Sequence, residues 1–203
     1  MSCTGLLGGT FNPPHNGHAL LGETAKRHFE LDPLRVHVSS NPPHKRVDVD
    51  VETRLRLAQL AFPSDVVVRD DNPYSIDTVI GYGDDAIFLV GADQFAKFLT
   101  WREPDEILAH VRLGVATRPG YPRERLDAVL SQLRRPERVE FFDMAPIPIS
   151  SSDIRRIAAE GGDLSNLVPS PVADEIGIGS MSKSSTRSGR RNSRRTPSSF
   201  SRE

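Results

Sequence analysis

A chain of 203 residues with a single cysteine is long enough to bury the core of one α/β domain and cannot build an internal disulfide framework, so a reducing, cytoplasmic setting is expected. No apolar run approaches the ~18 residues of a membrane span, and no basic segment leads into an apolar one near Met1, which argues against secretion or insertion. The net charge of −1 conceals two objects: residues 180–203 carry seven basic residues against one acidic, and the rest carries 19 basic against 26 acidic.

The patterning predicts alternating strands and helices. Thr4 to Gly9 is a short apolar run ending in Gly-Gly, the signature of a buried parallel strand entering a loop. Helical spacing follows from Asn16 to Phe29. Leu34 to Ser39 reads as a second strand, stopped by Asn41-Pro42-Pro43. Val51 to Phe62 is helical and Val66 to Val68 a third strand. A helix is expected over Tyr74 to Ile80, a fourth strand over Ala86 to Val90, and a helix over Asp93 to His110 broken near Trp101–Pro104. Strands at Val111–Ala116 and Val139–Phe142 flank a helix at Arg123–Leu133, and a last helix covers Ser151 to Glu160. This alternation predicts βαβ units, a doubly wound and mainly parallel sheet, and ligands held beyond the carboxyl ends of its strands. Residues 1–179 make one domain. Residues 180–203 are Ser/Arg-rich and lack core-forming side chains, so a disordered tail is expected there, a solvated extension rather than a nucleic-acid arm.

The strongest local signal is Gly8-Gly9-Thr10-Phe11-Asn12-Pro13-Pro14-His15-Asn16-Gly17-His18. Two glycines after a strand let backbone approach a ligand. Two histidines three apart at a helix start share a face where partial positive charge gathers, which suits phosphate oxygens. On spacing alone two other readings stay open behind phosphate binding: a Gly-Pro turn with surface histidines, then half of a metal site that lacks a third ligand nearby.

The segment resembles the His-x-Gly-His signature of the nucleotidylyltransferase superfamily, and its Gly-Gly-Thr-Phe-x-Pro-Pro prefix is similar to bacterial nicotinate-nucleotide adenylyltransferases. Further segments resemble that family in the same order: Asn41-Pro42-Pro43-His44-Lys45, Pro73-Tyr74-Ser75-Ile76-Asp77-Thr78, Gly91-Ala92-Asp93 with Trp101, Arg118-Pro119-Gly120-Tyr121, and Ile149-Ser150-Ser151-Ser152-Asp153-Ile154-Arg155. The resemblance implies a Rossmann-like fold and transfer of AMP from ATP to nicotinate mononucleotide, giving deamido-NAD and pyrophosphate. It implies catalytic roles for His15, His18, Lys45 and Arg155. It implies ATP contacts from Gly8, Gly9, Thr10, Phe11, His18, Gly91, Asp93, Arg118, Ser151, Ser152 and Arg155, and mononucleotide contacts from His44, Lys45, Tyr74, Ser75 and Trp101.

Each position also has a plainer role: Lys45 as a solvated loop lysine, Trp101 as core packing, Asp93 as a helix cap, Ser151 and Ser152 as an ordinary helix N-terminus. No nucleophilic side chain is required, and Mg²⁺ would ride mainly on ATP phosphates and water, with no protein carboxylate cluster to hold it. Other transferases of the same fold, such as a pantetheine-phosphate enzyme, or a non-catalytic nucleotide sensor, are the competing readings; the Pro-Pro-His-Lys loop and Trp101 weigh against the first, and the intact His15 and His18 against the second. The resemblance leaves room for a homo-oligomer and implies neither nucleic acid nor membrane as a partner.

Departures from the family are few. Asn12 replaces the usual Asp, Ser75 and Ser152 stand for Thr, and Ile176-Gly177-Ile178-Gly179 runs directly into the basic tail where the family continues through a helix, leaving that last helix open.

Overall fold

The computed structural model describes residues 3–43, 47–118 and 121–177. The expected tail, 180–203, lies outside the described residues. Six strands form one sheet: β1 (Thr4–Gly9), β2 (Leu34–Ser39), β3 (Val66–Asp70), β4 (Ala86–Gly91), β5 (Arg112–Thr117) and β6 (Val139–Asp143). Their order is β3-β2-β1-β4-β5-β6 and every pairing is parallel. This is the doubly wound order of a Rossmann-like fold. Apolar runs in the central strands follow from burial on both faces.

Alternation along those strands divides the core. Leu7, Val36, Val38, Ile87 and Leu89 face α1 (Asn16–Phe29), α2 (Val51–Ala61) and residues of the last third of the chain. Leu6, Phe88, Val90, Leu113 and Val115 face α3 (Ser75–Val79), α4 (Ala92–Phe95), α5 (Pro104–His110) and α6 (Arg123–Leu130). The sheet is thus sandwiched, and its central strands β1 and β4 open at their carboxyl ends into loops that leave on opposite faces.

Boundaries follow local chemistry. Asp50 caps α2 by accepting from Thr53 N–H at 2.8 Å. The helix expected over Asp93–His110 resolves into α4, a 3₁₀ turn at Phe98–Thr100 and α5. Glu103 adopts φ 53° there, and Pro104 opens the new helix, where its missing N–H costs nothing. The helices expected over Tyr74–Ile80 and Arg123–Leu133 are shorter, Ser75–Val79 and Arg123–Leu130, because their last residues bend into turns. α7 spans Ser151–Ala159. Beyond Pro169 the chain does form a helix, described from 170 to 177, and Val172 is fully buried in it. Ala173 and Ile176 pack beside it against the same core, while Gly and acidic neighbours hide the periodicity. Among the described residues, no helix is long and apolar enough to cross a membrane.

Central and edge strands should respond differently to truncation. Leu89→Ala in β4 is expected to cost about 2–5 kcal/mol by urea denaturation, through lost burial and a cavity. Val66→Ala, on edge strand β3 and 40% exposed, is expected to cost less than about 1 kcal/mol.

Candidate active site

Because β1 leads to α1 on one face and β4 to α4 on the other, a crevice opens between their carboxyl ends. A cleft of about 480 Å³ occupies it. Gly8, Gly9, His15 and His18 line it from β1–α1, Tyr74 and Ser75 from α3, and Gly91, Asp93 and Trp101 from the β4 side. Residues scattered over more than 90 positions of sequence are brought to one place by topology.

His15 is the N-cap of α1, in extended conformation, and its ring stacks on that of His18 with centroids 3.7 Å apart. The two histidines turn toward each other's backbone amides in a capping box. Of those contacts, His15 N–H donating to His18 Nδ1 at 3.2 Å has hydrogen-bond geometry. An Nδ1 that accepts leaves the proton of the neutral His18 ring on Nε2, which makes that nitrogen a donor. His15 is 9% exposed, and its Nδ1 is buried without a hydrogen-bond partner among the described residues. Burial lowers its pKa to about 4, so His15 is a neutral imidazole at physiological pH. Gly17 is what permits the stack: a Cβ there would stand 3.0 Å from His15 Cε1 and Nδ1. Phe11 meets the His18 ring edge-on at 5.1 Å. Its own side chain is 1% exposed and its φ is 48°, so only its backbone is offered to a ligand.

The start of α7 is bound to this loop. Ser151 Oγ donates to Pro13 O at 2.9 Å, and Arg155 donates to Asn12 O at 2.6 Å and to Ser152 Oγ at 3.1 Å. Ser150 caps the helix through Asp153, whose pKa is lowered first by the Ser150 hydroxyl. Arg155 lines an adjoining groove with Asn12, Pro13 and Thr53 rather than the cleft itself. It braces the loop from behind. Since residue 12 contributes its carbonyl to this bond, the change from Asp to Asn leaves the brace intact.

On the opposite wall, Trp101 packs edge-on against Phe88 and Phe98, at 6.2 and 5.4 Å, and still lines the cleft. Packing and exposure are both true of it. It also borders a second hollow shared with Thr10, Pro42, Pro43 and Tyr74. The Arg102 guanidinium sits 4.7 Å over the Tyr74 ring. Asp93 is exposed in the first turn of α4. Arg118 is exposed at the end of β5, over Tyr121 at 5.8 Å and away from the cleft lining. His44 and Lys45 lie outside the described residues. Among the described residues, no group of three or more His, Cys, Asp or Glu could hold a metal ion.

Sequence reasoning missed Arg54. It is 1% exposed, and its guanidinium donates to the carbonyls of Val49, Thr10, Ser39 and Ser40 at 2.6–3.1 Å. The signal was present: Arg54, Leu57, Ala58 and Ala61 occupy one helical face, so the arginine lies on the apolar side of α2. His37 was missed too. It lines the cleft at 8% exposure, its pKa lowered first by burial, against the opposing pull of Asp70.

A family model described as cytidylyltransferase-like matches residues 6–157. A protein of Bordetella avium named "Probable nicotinate-nucleotide adenylyltransferase" is 33% identical over 189 residues, covering 87% of this chain and 95% of its own. A Solibacter usitatus protein of the same name is 36% identical, over 83% and 93% of the two chains. The solved Plasmodium falciparum nicotinic acid mononucleotide adenylyltransferase complexed with NaAD shares the fold at a TM-score of 0.66, with 14% identity, covering 90% of this chain and 98% of that one.

Holding His15 neutral has a consequence for stability. The unfolded chain binds a proton at His15 near the usual 6.5, the native chain only near 4. Between those values the unfolded state carries more protons, so acid destabilises the fold, by up to about 3 kcal/mol from this group. The urea midpoint is expected to fall between pH 7 and pH 4.5, and to fall less in His15→Asn. Equal losses in the two proteins would remove His15 as the source.

Proposed function

This chain belongs to the cytidylyltransferase-like family, and we propose that it transfers AMP from ATP to nicotinate mononucleotide, releasing pyrophosphate and forming deamido-NAD. In this reading a 5′-phosphate oxygen of the mononucleotide attacks the α-phosphorus of ATP. The bond from that phosphorus to the β-phosphate oxygen breaks, and the electron pair leaves with pyrophosphate.

The observation that carries the reading is the stacked His15–His18 pair at the head of α1, with Gly8 and Gly9 behind it at the switch point of the sheet. Among the described residues the buried His15 Nδ1 has no hydrogen-bond partner, and His18 Nε2 carries a proton, so the stacked imidazoles can offer N–H donors to the oxygens of a transferring phosphoryl group. Both rings are fixed before substrate arrives, which limits the reorganisation needed at the transition state. We assign phosphate contacts also to Lys45, Arg155, Ser151, Ser152 and the amides of Thr10 and Phe11. Arg155 as it lies acts mainly by holding Asn12 and Ser152. Gly91, Asp93 and Arg118 are assigned to the nucleoside of ATP, and His44, Lys45, Tyr74, Ser75 and Trp101 to the mononucleotide. The cleft's carboxylates, Asp70 and Asp93, do not cluster, which fits a Mg²⁺ held chiefly by phosphate oxygens and water. When bound, that ion neutralises charge on the phosphates. Residues 1–179 carry the whole reaction in this proposal, in the cytoplasm, with no nucleic acid as a partner.

Replacing His18 by Ala is expected to lower turnover about a hundredfold, the scale for one donor to a transition state, without shifting the thermal midpoint by more than a few degrees. Near-normal turnover would take His18 out of the chemistry.

Substrate choice tests the other wall. A carboxylate only accepts hydrogen bonds, whereas a carboxamide brings two N–H donors. Ser75 opens α3, where backbone N–H groups have no partner within the helix. Donors facing a carboxamide's donors cost roughly 2–4 kcal/mol, about 30- to 1000-fold in kcat/KM. Pyrophosphate release from ATP and Mg²⁺ is expected to favour nicotinate over nicotinamide mononucleotide by that margin. Equal values for the two would sink the pyridine assignment and leave AMP transfer standing.

A further inference from the structure

A polar cluster that the proposed chemistry does not use lies beneath the Tyr74–Ser75 corner. His37 points from β2 to the sheet face opposite Val36 and Val38, and its Nε2 is 3.1 Å from Tyr82 Oη. Its Nδ1 is 3.7 Å from Asp70 Oδ2. Asp70, at the end of β3, accepts from Thr78 Oγ1 at 2.8 Å and from Asn72 N–H at 3.1 Å. With a carboxylate on its Nδ1 side, the neutral ring is best served by a proton on Nδ1, so that Nε2 accepts from the Tyr82 hydroxyl.

Two residues on neighbouring strands therefore hold one segment at three points: before α3 at Asn72, within it at Thr78, and after it at Tyr82. That segment carries Tyr74 and Ser75 into the cleft. It needs outside support. α3 has five residues, too few to be stable by itself. Apolar packing holds it through Ile76 and Val79, but Ile80 is 58% exposed and Tyr82 meets the core only as a partly buried ring, so the end of the segment leans on contacts at its polar tip. His37 supplies that third attachment.

We propose that His37, acting through Tyr82 and beside Asp70, is a positioning residue that fixes Tyr74 and Ser75 and so sets affinity for the pyridine mononucleotide. The proposal rests on the AMP-transfer reading above. It separates the two substrates, because the gripped segment carries Tyr74 and Ser75, which the proposal assigns to the mononucleotide.

Tyr82→Phe removes a single hydroxyl, and His37→Leu removes the ring's polar atoms. Each is expected to raise KM for nicotinate mononucleotide about tenfold, with KM for ATP and kcat within about twofold of the wild type. His37→Gln, which keeps a donor and an acceptor, is expected to recover most of the loss. Trp101 is the only tryptophan, so quenching of its fluorescence by nicotinate mononucleotide alone gives a second reading of the same affinity without turnover. If His37→Leu does not fold, Tyr82→Phe carries the test. A folded Tyr82→Phe protein with unchanged KM for the mononucleotide, or with both KM values raised alike, overturns the proposal. Absence of wild-type turnover with nicotinate mononucleotide would overturn the AMP-transfer reading instead, and is seen before any variant is compared.

Discussion

The Arg54 guanidinium is the point on which the loops around the cleft depend. Carbonyls from the β1–α1 loop, the end of β2 and the approach to α2 all aim their negative ends at one small volume. Without a cation they would repel one another in a place that water hardly reaches. A lysine could not replace it, because one ammonium with three donors does not span four oxygens set around a plane. The arginine's pKa is lowered by burial, with Asp50 pulling the other way, but it stays far above neutrality, so the charge is permanent. Each bond to a charged donor is worth about 1.5–3 kcal/mol, and losing the donor would strand every acceptor at once.

That constraint propagates through peptide geometry. A trans peptide points its C=O and N–H in opposite directions, so a carbonyl fixed on Arg54 fixes an amide facing away. The Ser39–Ser40 unit does this: its carbonyl receives Arg54, and its N–H donates to Asp70 O at 2.8 Å. Asp70 in turn holds Asn72 and Thr78. The Thr10 carbonyl ties the same guanidinium to the loop before His15. The His15–His18 side and the Tyr74–Ser75 side of the cleft are thus joined by a few rigid peptide units, and their separation is set by covalent geometry as well as by packing.

The sequence disclosed most of the scaffold, because its punctuation is strong. Gly-Gly after Leu7, Asn-Pro-Pro after Ser40 and Gly91 after Val90 end their strands within a residue or two of the expected places. The cleft was legible to the extent that its residues follow strand ends, as Gly8, His15, Gly91 and Asp93 do. Arg54 was not, because a charged residue in a helix reads as surface until the phase of its own face is checked. His37 was not singled out because it alternates with Val36 and Val38, the place of a solvent-facing residue in a half-buried strand, whereas a strand inside a doubly wound sheet is buried on both faces. Arg155 shows a different limit. Its place near the head of α7 was readable, but which loop crosses that head is a long-range fact that local pattern does not contain.

The head of α1 has one more attachment. Asn16 donates its backbone N–H to Leu167 O and its side-chain amide to Asn166 O, each at 3.0 Å. The histidine-bearing turn is made well before its fastening, which lies 150 residues further along the chain. During vectorial synthesis the sheet's β1–β2–β3 half can assemble early, but this turn waits on a partner some 150 residues downstream. Closing so large a loop is slow but adds little entropy cost beyond that of a shorter one. A nascent chain therefore acquires its scaffold before the final setting of this turn, and one stalled short of Leu167 would fold around a histidine pair whose helix lacks its contacts to residues 166 and 167.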